Sequence, residues 1–241
     1  MHQGIEDITP LTLLDYPGKA ACILWFGGCN MRCRYCYNAD LAKGCKAKAT
    51  FPSHLREKSL EEFLKTRAGF LDGVVLSGGE CSLCPDLPEI CRLAQSLGYE
   101  VKMDTNGTRP DTVRFLVEQG LVNYIALDYK APSDEFANIT GGCSANLFAA
   151  FGKTLQYLIG SEFPFEVRTT VHPDLLDEKA VGRIIKDLAA RGYRGTYYLQ
   201  HYFHTDHNMD QLERPVRAFD PGKLPGNIPV VLRHFKTEPD K

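Results

Sequence analysis

The 241-residue sequence contains no stretch that approaches the roughly 18 uninterrupted apolar residues a membrane helix needs. Its start, Met1 to Pro10, lacks the basic-then-apolar order of a secretory signal, so a cytoplasmic location is expected. An excess of charge of one sign is also missing. Lys and Arg total 28 against 30 for Asp and Glu, and a net charge of −2 supplies no general drive toward nucleic acid or an anionic membrane. No Pro/Gly/Ser-rich linker and no repeat divides the chain, so one domain is expected over 1–241, its core over about 18–204 and its tail over about 205–241. With 44% hydrophobic and 24% charged residues, disordered, collagen-like and coiled-coil readings are excluded. The nine cysteines cannot all pair within one chain. Without an export signal, reduced thiols or metal ligands are expected rather than a disulfide framework.

What is present is an alternation of β-rich apolar runs with segments of helical period. Strands are expected over Ala20–Phe26, Gly73–Ser77, Glu100–Asp104, Asn123–Asp128, Phe165–Thr170 and Thr196–His201. Between them fall helices from near Ser59, where Glu62 completes a capping box, and over Leu87–Leu97, Asp111–Gln119, Ala145–Ile159 and Asp177–Arg191. Strands separated by single helices require a parallel sheet with right-handed crossovers. Eight such units would close a barrel in about 250 residues, so six imply an α/β fold that is an incomplete, open-sided (β/α)6 barrel or a doubly wound sheet. Either architecture places its ligand at the carboxyl ends of the strands, where glycine and polar residues collect. A short strand over Ile228–Leu232 would cover the open edge or meet a partner.

Directly after the first strand, GGCNMRCRYCYN holds Cys29, Cys33 and Cys36 in the spacing C-x3-C-x2-C. Three thiolates so close must converge on one small object. A structural zinc would want a fourth protein ligand, and none matches nearby. A four-iron cluster on three thiolates keeps one iron open to a non-protein ligand. This motif resembles that of the radical S-adenosylmethionine (SAM) superfamily. The resemblance implies a [4Fe-4S] cluster on Cys29, Cys33 and Cys36, with SAM chelating the open iron. It also implies reductive cleavage of SAM to methionine and a 5′-deoxyadenosyl radical that abstracts a hydrogen atom. Tyr35 stands where the superfamily has an aromatic residue beside the adenine, although it could equally pack the loop.

Gly78-Gly79-Glu80 ends the second strand and resembles the superfamily's GGE motif, in which Glu80 and the bare backbone hold the methionyl ammonium. Asp104, Thr105 and Asp128, at neighbouring strand ends, are hard oxygen donors that could solvate SAM, ligate a cation or cap the following loops. DTNG and D-x-K resemble the glycyl-radical activating enzymes. That likeness implies a monovalent cation at Asp104, Thr105 and Asp128, and SAM contacts by Lys130 and Arg168. ITPLTLLDYPGK, DGVVLSGGE, KMDTNGT, DYKAP and FEVRTTVHP extend the likeness to proteins named anaerobic ribonucleoside-triphosphate reductase activating protein. The implied partners are a glycyl-radical enzyme, with class III ribonucleotide reductase foremost, and a flavodoxin- or ferredoxin-type electron donor.

Two departures stand out. Cys81 replaces the proline that often follows GGE, and Tyr37 stands where many activases carry His. Cys81, Cys84 and Cys91, with Cys45, could form a second metal site, but scattered thiols are the favoured reading. His201, His204 and His207 fit a metal poorly, because successive strand residues face opposite ways. A SAM or substrate contact by His201, or a surface loop, is expected instead. Two other functions compete: radical SAM chemistry on a small molecule or RNA base, and an iron–sulfur module without catalysis, which would not need Glu80 or Lys130.

Overall fold

A computed structural model describes residues 4–44 and 60–235. Eight strands form one sheet in the order β1 to β8: β1 (Ile5–Thr12), β2 (Ala21–Phe26), β3 (Gly73–Gly78), β4 (Glu100–Thr105), β5 (Tyr124–Asp128), β6 (Phe165–Val171), β7 (Tyr197–His201) and β8 (Val230–Arg233). From β2 to β8 every neighbouring pair is parallel, whereas β1 runs antiparallel to β2. The six strands expected from the sequence are all there, and the segment at Ile228–Leu232 supplies β8 at an edge. β1 was not expected. It is an edge strand of half-buried residues that contains Pro10 and two acids, so it shows no apolar alternation.

The helices are α1 (Ala39–Ala42), α2 (Leu60–Lys65), α3 (Leu87–Ser96), α4 (Pro110–Glu118), α5 (Phe136–Ile139), α6 (Ala145–Gly160) and α7 (Glu178–Ala190). The Asp177 side chain caps α7 by accepting from the Ala180 N–H at 2.8 Å. The Ser59 cap proposed for α2 and the Cys45 ligand lie outside the described residues.

The period of two along each strand sorts the side chains. Leu24, Phe26, Val74, Leu76, Val101, Met103, Ile125, Leu127 and Val167 join the main core together with helical residues such as Leu87, Ile90, Leu116, Leu155 and Ile184. Alternate positions give the other face a different chemistry. There stand Trp25, Ser77, Lys102, Asp104, Asp128, Glu166 and Arg168, paired in register as Trp25 with Ser77 and Asp128 with Arg168. This polar face, together with the loops after β2 and β3, makes the site. Among the described residues no helix is long and apolar enough to cross a membrane.

Candidate functional site

The cysteine loop leaves β2 through Gly27 and Gly28, and its backbone is held from two sides. Arg32 and Arg34 N–H groups donate to the Thr140 and Ile139 carbonyls, each at 3.0 Å. From the chain after β7, Met209 and Asp210 N–H groups donate to the Cys36 and Arg34 carbonyls at 2.9 and 3.2 Å. Cys29, Cys33 and Cys36 all line one cavity. Burial pushes the Cys29 thiol up to about 11 and the Cys33 thiol up to about 12, and it raises Cys36 too. The metal-free thiols therefore hold their protons, and loading iron must release them. Cys29 Sγ accepts from the Met31 N–H at 3.4 Å and from Asn106 Nδ2 at 3.9 Å.

Across the cavity, Gly78 and Gly79 press their backbone against this loop. A Cβ on Gly79 would lie 2.1 Å from the Gly28 carbonyl oxygen, and one on Gly78 would lie 2.4 Å from Phe26 N and O. Gly78 also has φ +124°, a conformation that side chains disfavour. Glu80 follows and is buried. Its Oε1 accepts from the Ser82 N–H at 3.1 Å, the Ser82 hydroxyl at 2.5 Å and the Thr105 hydroxyl at 2.7 Å, while Oε2 accepts from the Asn106 N–H at 2.7 Å. Burial still pushes this carboxyl up against the pull of those hydrogen bonds. A carboxylate offers about four acceptor positions, so Oε2 keeps capacity for an incoming ammonium.

The third wall is a chain of alternating charges. Lys102 pairs with Asp104 Oδ1, and Arg168 reaches Asp104 Oδ2 at 3.2 Å and Asp128 Oδ1 at 2.5 Å. Lys130 meets Asp128 Oδ2 at 3.0 Å. Burial alone would raise Asp104 and Asp128, but Arg168 with Lys102 and Lys130 outweighs it and holds both below the usual carboxylate range. Tyr35 is buried beside them, its hydroxyl donating to the Lys130 carbonyl at 3.3 Å.

The cavity thus gathers Cys29, Cys33, Cys36, Tyr35, Gly78, Gly79, Glu80, Asp104, Thr105, Asp128, Lys130 and Arg168. His201 is not on it. Its ring packs edge-on to Phe235, and the neighbouring Gln200 lines the wall instead. Sequence reasoning overlooked Asn106, which links Glu80 to the cysteine loop, and Lys102, a buried lysine in an otherwise ordinary strand. The signal for Lys102 was its place two residues before Asp104, on the same strand face. Among the described residues no group of three or more His, Cys, Asp or Glu is placed to hold a metal ion.

The radical SAM superfamily profile matches residues 23–214. A Methanocaldococcus jannaschii protein, provisionally named a glycyl-radical enzyme activating enzyme, is 33% identical over 191 residues, covering 77% of this chain and 75% of that protein. The pyruvate formate-lyase-activating enzyme of Clostridium pasteurianum is 27% identical over 191 residues, 76% of each chain. An S-adenosylmethionine-dependent nucleotide dehydratase of Lacinutrix mariniflava is 32% identical over 109 residues, 44% of this chain and 22% of that protein. Among solved structures, Streptococcus suis SuiB bound to S-adenosylmethionine matches with a TM-score of 0.60 at 12% identity, over 86% of this chain and 48% of that one. The structure of anSMEcpe with bound AdoMet matches with a TM-score of 0.56 at 17% identity, over 73% of this chain and 48% of that one. The chain spans about half the length of these two structures, and their likeness is one of fold. With the cysteine loop at the end of β2, the GGE turn at the end of β3 and a profile match across most of the sequence, the chain belongs to the radical SAM superfamily.

Proposed function

We propose that this protein is a glycyl-radical activase. It holds one [4Fe-4S] cluster on Cys29, Cys33 and Cys36, cleaves SAM reductively to methionine and 5′-deoxyadenosine, and removes an α-hydrogen from a glycine of a partner enzyme. A class III ribonucleotide reductase is the best single candidate for that partner. The observation that carries the reading is the meeting, in one cavity, of three thiols, a bare Gly-Gly backbone, a buried carboxylate and a chain of charges. Relatives named as a glycyl-radical enzyme activating enzyme and as a pyruvate formate-lyase-activating enzyme, at 33% and 27% identity, match about three-quarters of both chains and support this reading.

When bound, the cluster supplies the electron that SAM cleavage consumes, received in turn from a flavodoxin- or ferredoxin-type donor in the cytoplasm. The protein's own residues bind and orient. Glu80 takes the ammonium of SAM, and its burial makes a charge-assisted bond there strong. Asp104, Asp128, Lys130 and Arg168 surround the carboxylate and ribose side, and Tyr35 flanks the adenine. The Gly79 and Glu80 N–H groups hold this turn to the Phe26 and Gly28 carbonyls at 2.8 and 2.9 Å, and the bare glycines let the amino-acid end of SAM approach the backbone beside Glu80.

The test mixes reduced protein, SAM and the candidate reductase without oxygen and records the electron paramagnetic resonance spectrum. A glycyl doublet that needs all components is the expected result. Formation of 5′-deoxyadenosine with no protein radical, accelerated by a nucleoside-like substrate, would move the assignment to small-molecule chemistry.

A further inference from the structure

The charge chain beneath the cysteine loop differs from a site built for a loose cation. Asp104, Thr105 and Asp128 are the residues that the family likeness assigns to a monovalent ion, and in this structure each is already committed. The Thr105 hydroxyl donates to Glu80 Oε1 at 2.7 Å, and its oxygen accepts from the Gly107 N–H at 3.1 Å. Both Asp104 oxygens already meet a cation, Oδ1 that of Lys102 and Oδ2 that of Arg168 at 3.2 Å, with the Ser77 hydroxyl at 3.4 Å. Both Asp128 oxygens do as well, meeting Arg168 at 2.5 Å and Lys130 at 3.0 Å, so what an added ion would lack is negative charge rather than an acceptor.

The charge count points the same way. Within the ion-pair chain two carboxylates face three cations, Lys102, Arg168 and Lys130, a surplus of one positive charge, while Glu80 on the same cavity is left to the ammonium of SAM. The nearby Glu166 does not change this sum, because Arg233 neutralises it through bonds of 2.8 and 2.9 Å. An alkali ion would raise the surplus to two in a region withdrawn from water, where uncompensated charge is costly. One carboxylate would reduce it to zero. Lys102 is the member that makes the difference. Its side chain is 2% exposed, and it points to the same face as Asp104 because two strand positions separate them.

We propose that Lys102 is a built-in cation. Its ammonium stands in for the alkali ion, so that the site accepts the carboxylate of SAM without K+ or Na+. Lys102 is a positioning residue: it fixes Asp104 and sets the charge that the carboxylate of SAM completes. The inference rests on the reading that this cavity takes SAM.

The experiment measures SAM affinity of the anaerobically reconstituted protein by calorimetry in potassium, sodium and tetramethylammonium chloride at equal ionic strength. Wild type should bind alike in all three salts, within about twofold. Lys102→Ala should lose about tenfold or more in tetramethylammonium and regain much of it in potassium or ammonium chloride, because the vacated space admits a small cation. Lys102→Met should lose as much and regain nothing, since its side chain fills that space with no charge. A wild type whose affinity rises several-fold with potassium would overturn the inference, and that arm stands even if the variants fail to fold. So would a folded Lys102→Ala that binds as wild type in tetramethylammonium. A cluster-loaded wild type that binds SAM in no salt would instead overturn the assignment of the cavity itself, and this inference with it.

Discussion

The Thr105 hydroxyl donates to Glu80 Oε1 at 2.7 Å, tying the end of β4 to the end of β3 inside the protein. Glu80 is therefore a hub of the fold as well as a candidate ligand for SAM. Glu80→Gln keeps its size but must set an NH2 group against either the Ser82 and Thr105 donors or the Asn106 N–H. We expect a stability loss of about 1–3 kcal/mol by denaturant titration, together with SAM binding weakened about tenfold or more by calorimetry. Wild-type SAM affinity in a folded, cluster-loaded variant would remove Glu80 from the ammonium site.

Replacing Cys29, Cys33 and Cys36 together with Ala should abolish the cluster in iron and sulfide analysis of anaerobically reconstituted protein. Cys143 is the informative control. Its thiol sits beside the same loop, 3.5 Å from the Asn30 carbonyl, yet it lies outside the motif. Cys143→Ala should retain the full complement of about four irons. Equal loss in the two variants would assign the wrong thiols to the cluster.

At the far edge of the sheet an ion pair reinforces the parallel ladder between β7 and β8. Arg233 of β8 grips Glu166 of β6 through two bonds and stacks 3.6 Å over the Tyr198 ring. Glu166 is buried, so Arg233→Ala leaves a carboxylate without its partner and should destabilise by about 3 kcal/mol in urea titration. Removing both charges with Glu166→Gln and Arg233→Met should restore most of that loss. Independent, additive effects of the two changes would show that the pair does not anchor β8.

Burial pushes the Cys22 and Cys91 thiols from an ordinary value near 9 up to about 12. Above pH 9 the unfolded chain releases protons that the folded chain retains, so this contribution is complete below pH 9 and is lost as pH rises toward 12. Reduced, metal-free protein should lose stability through that window, each thiol contributing up to about 1.4 kcal/mol per pH unit. Cys22→Ala with Cys91→Ala should make the decline shallower in urea titrations across the alkaline range. An unchanged slope would mean that these thiols ionise freely in the folded state.

The parts of this protein legible along the chain are those with a local cause. Six strands and their helices announce themselves through apolar periodicity and capping residues, and the cysteine loop through thiols with only three and two residues between them. GGE, DTNG and D-x-K are contiguous too, so the rim of the sheet could be read before its strands were ordered. Tertiary structure decided whatever depends on a distant partner. β1 escaped notice because an edge strand half-exposed on its whole length needs no apolar alternation, and only pairing with β2 makes it a strand. His201 stood at a strand end, as the site residues do, but its ring turned to Phe235 and left the wall to Gln200. Lys102 lies inside a strand read from the sequence, with nothing local to mark it as buried. Its paired charge, Asp104, comes from the same strand, and only the assembly of β4 between β3 and β5 withdraws that pair from water.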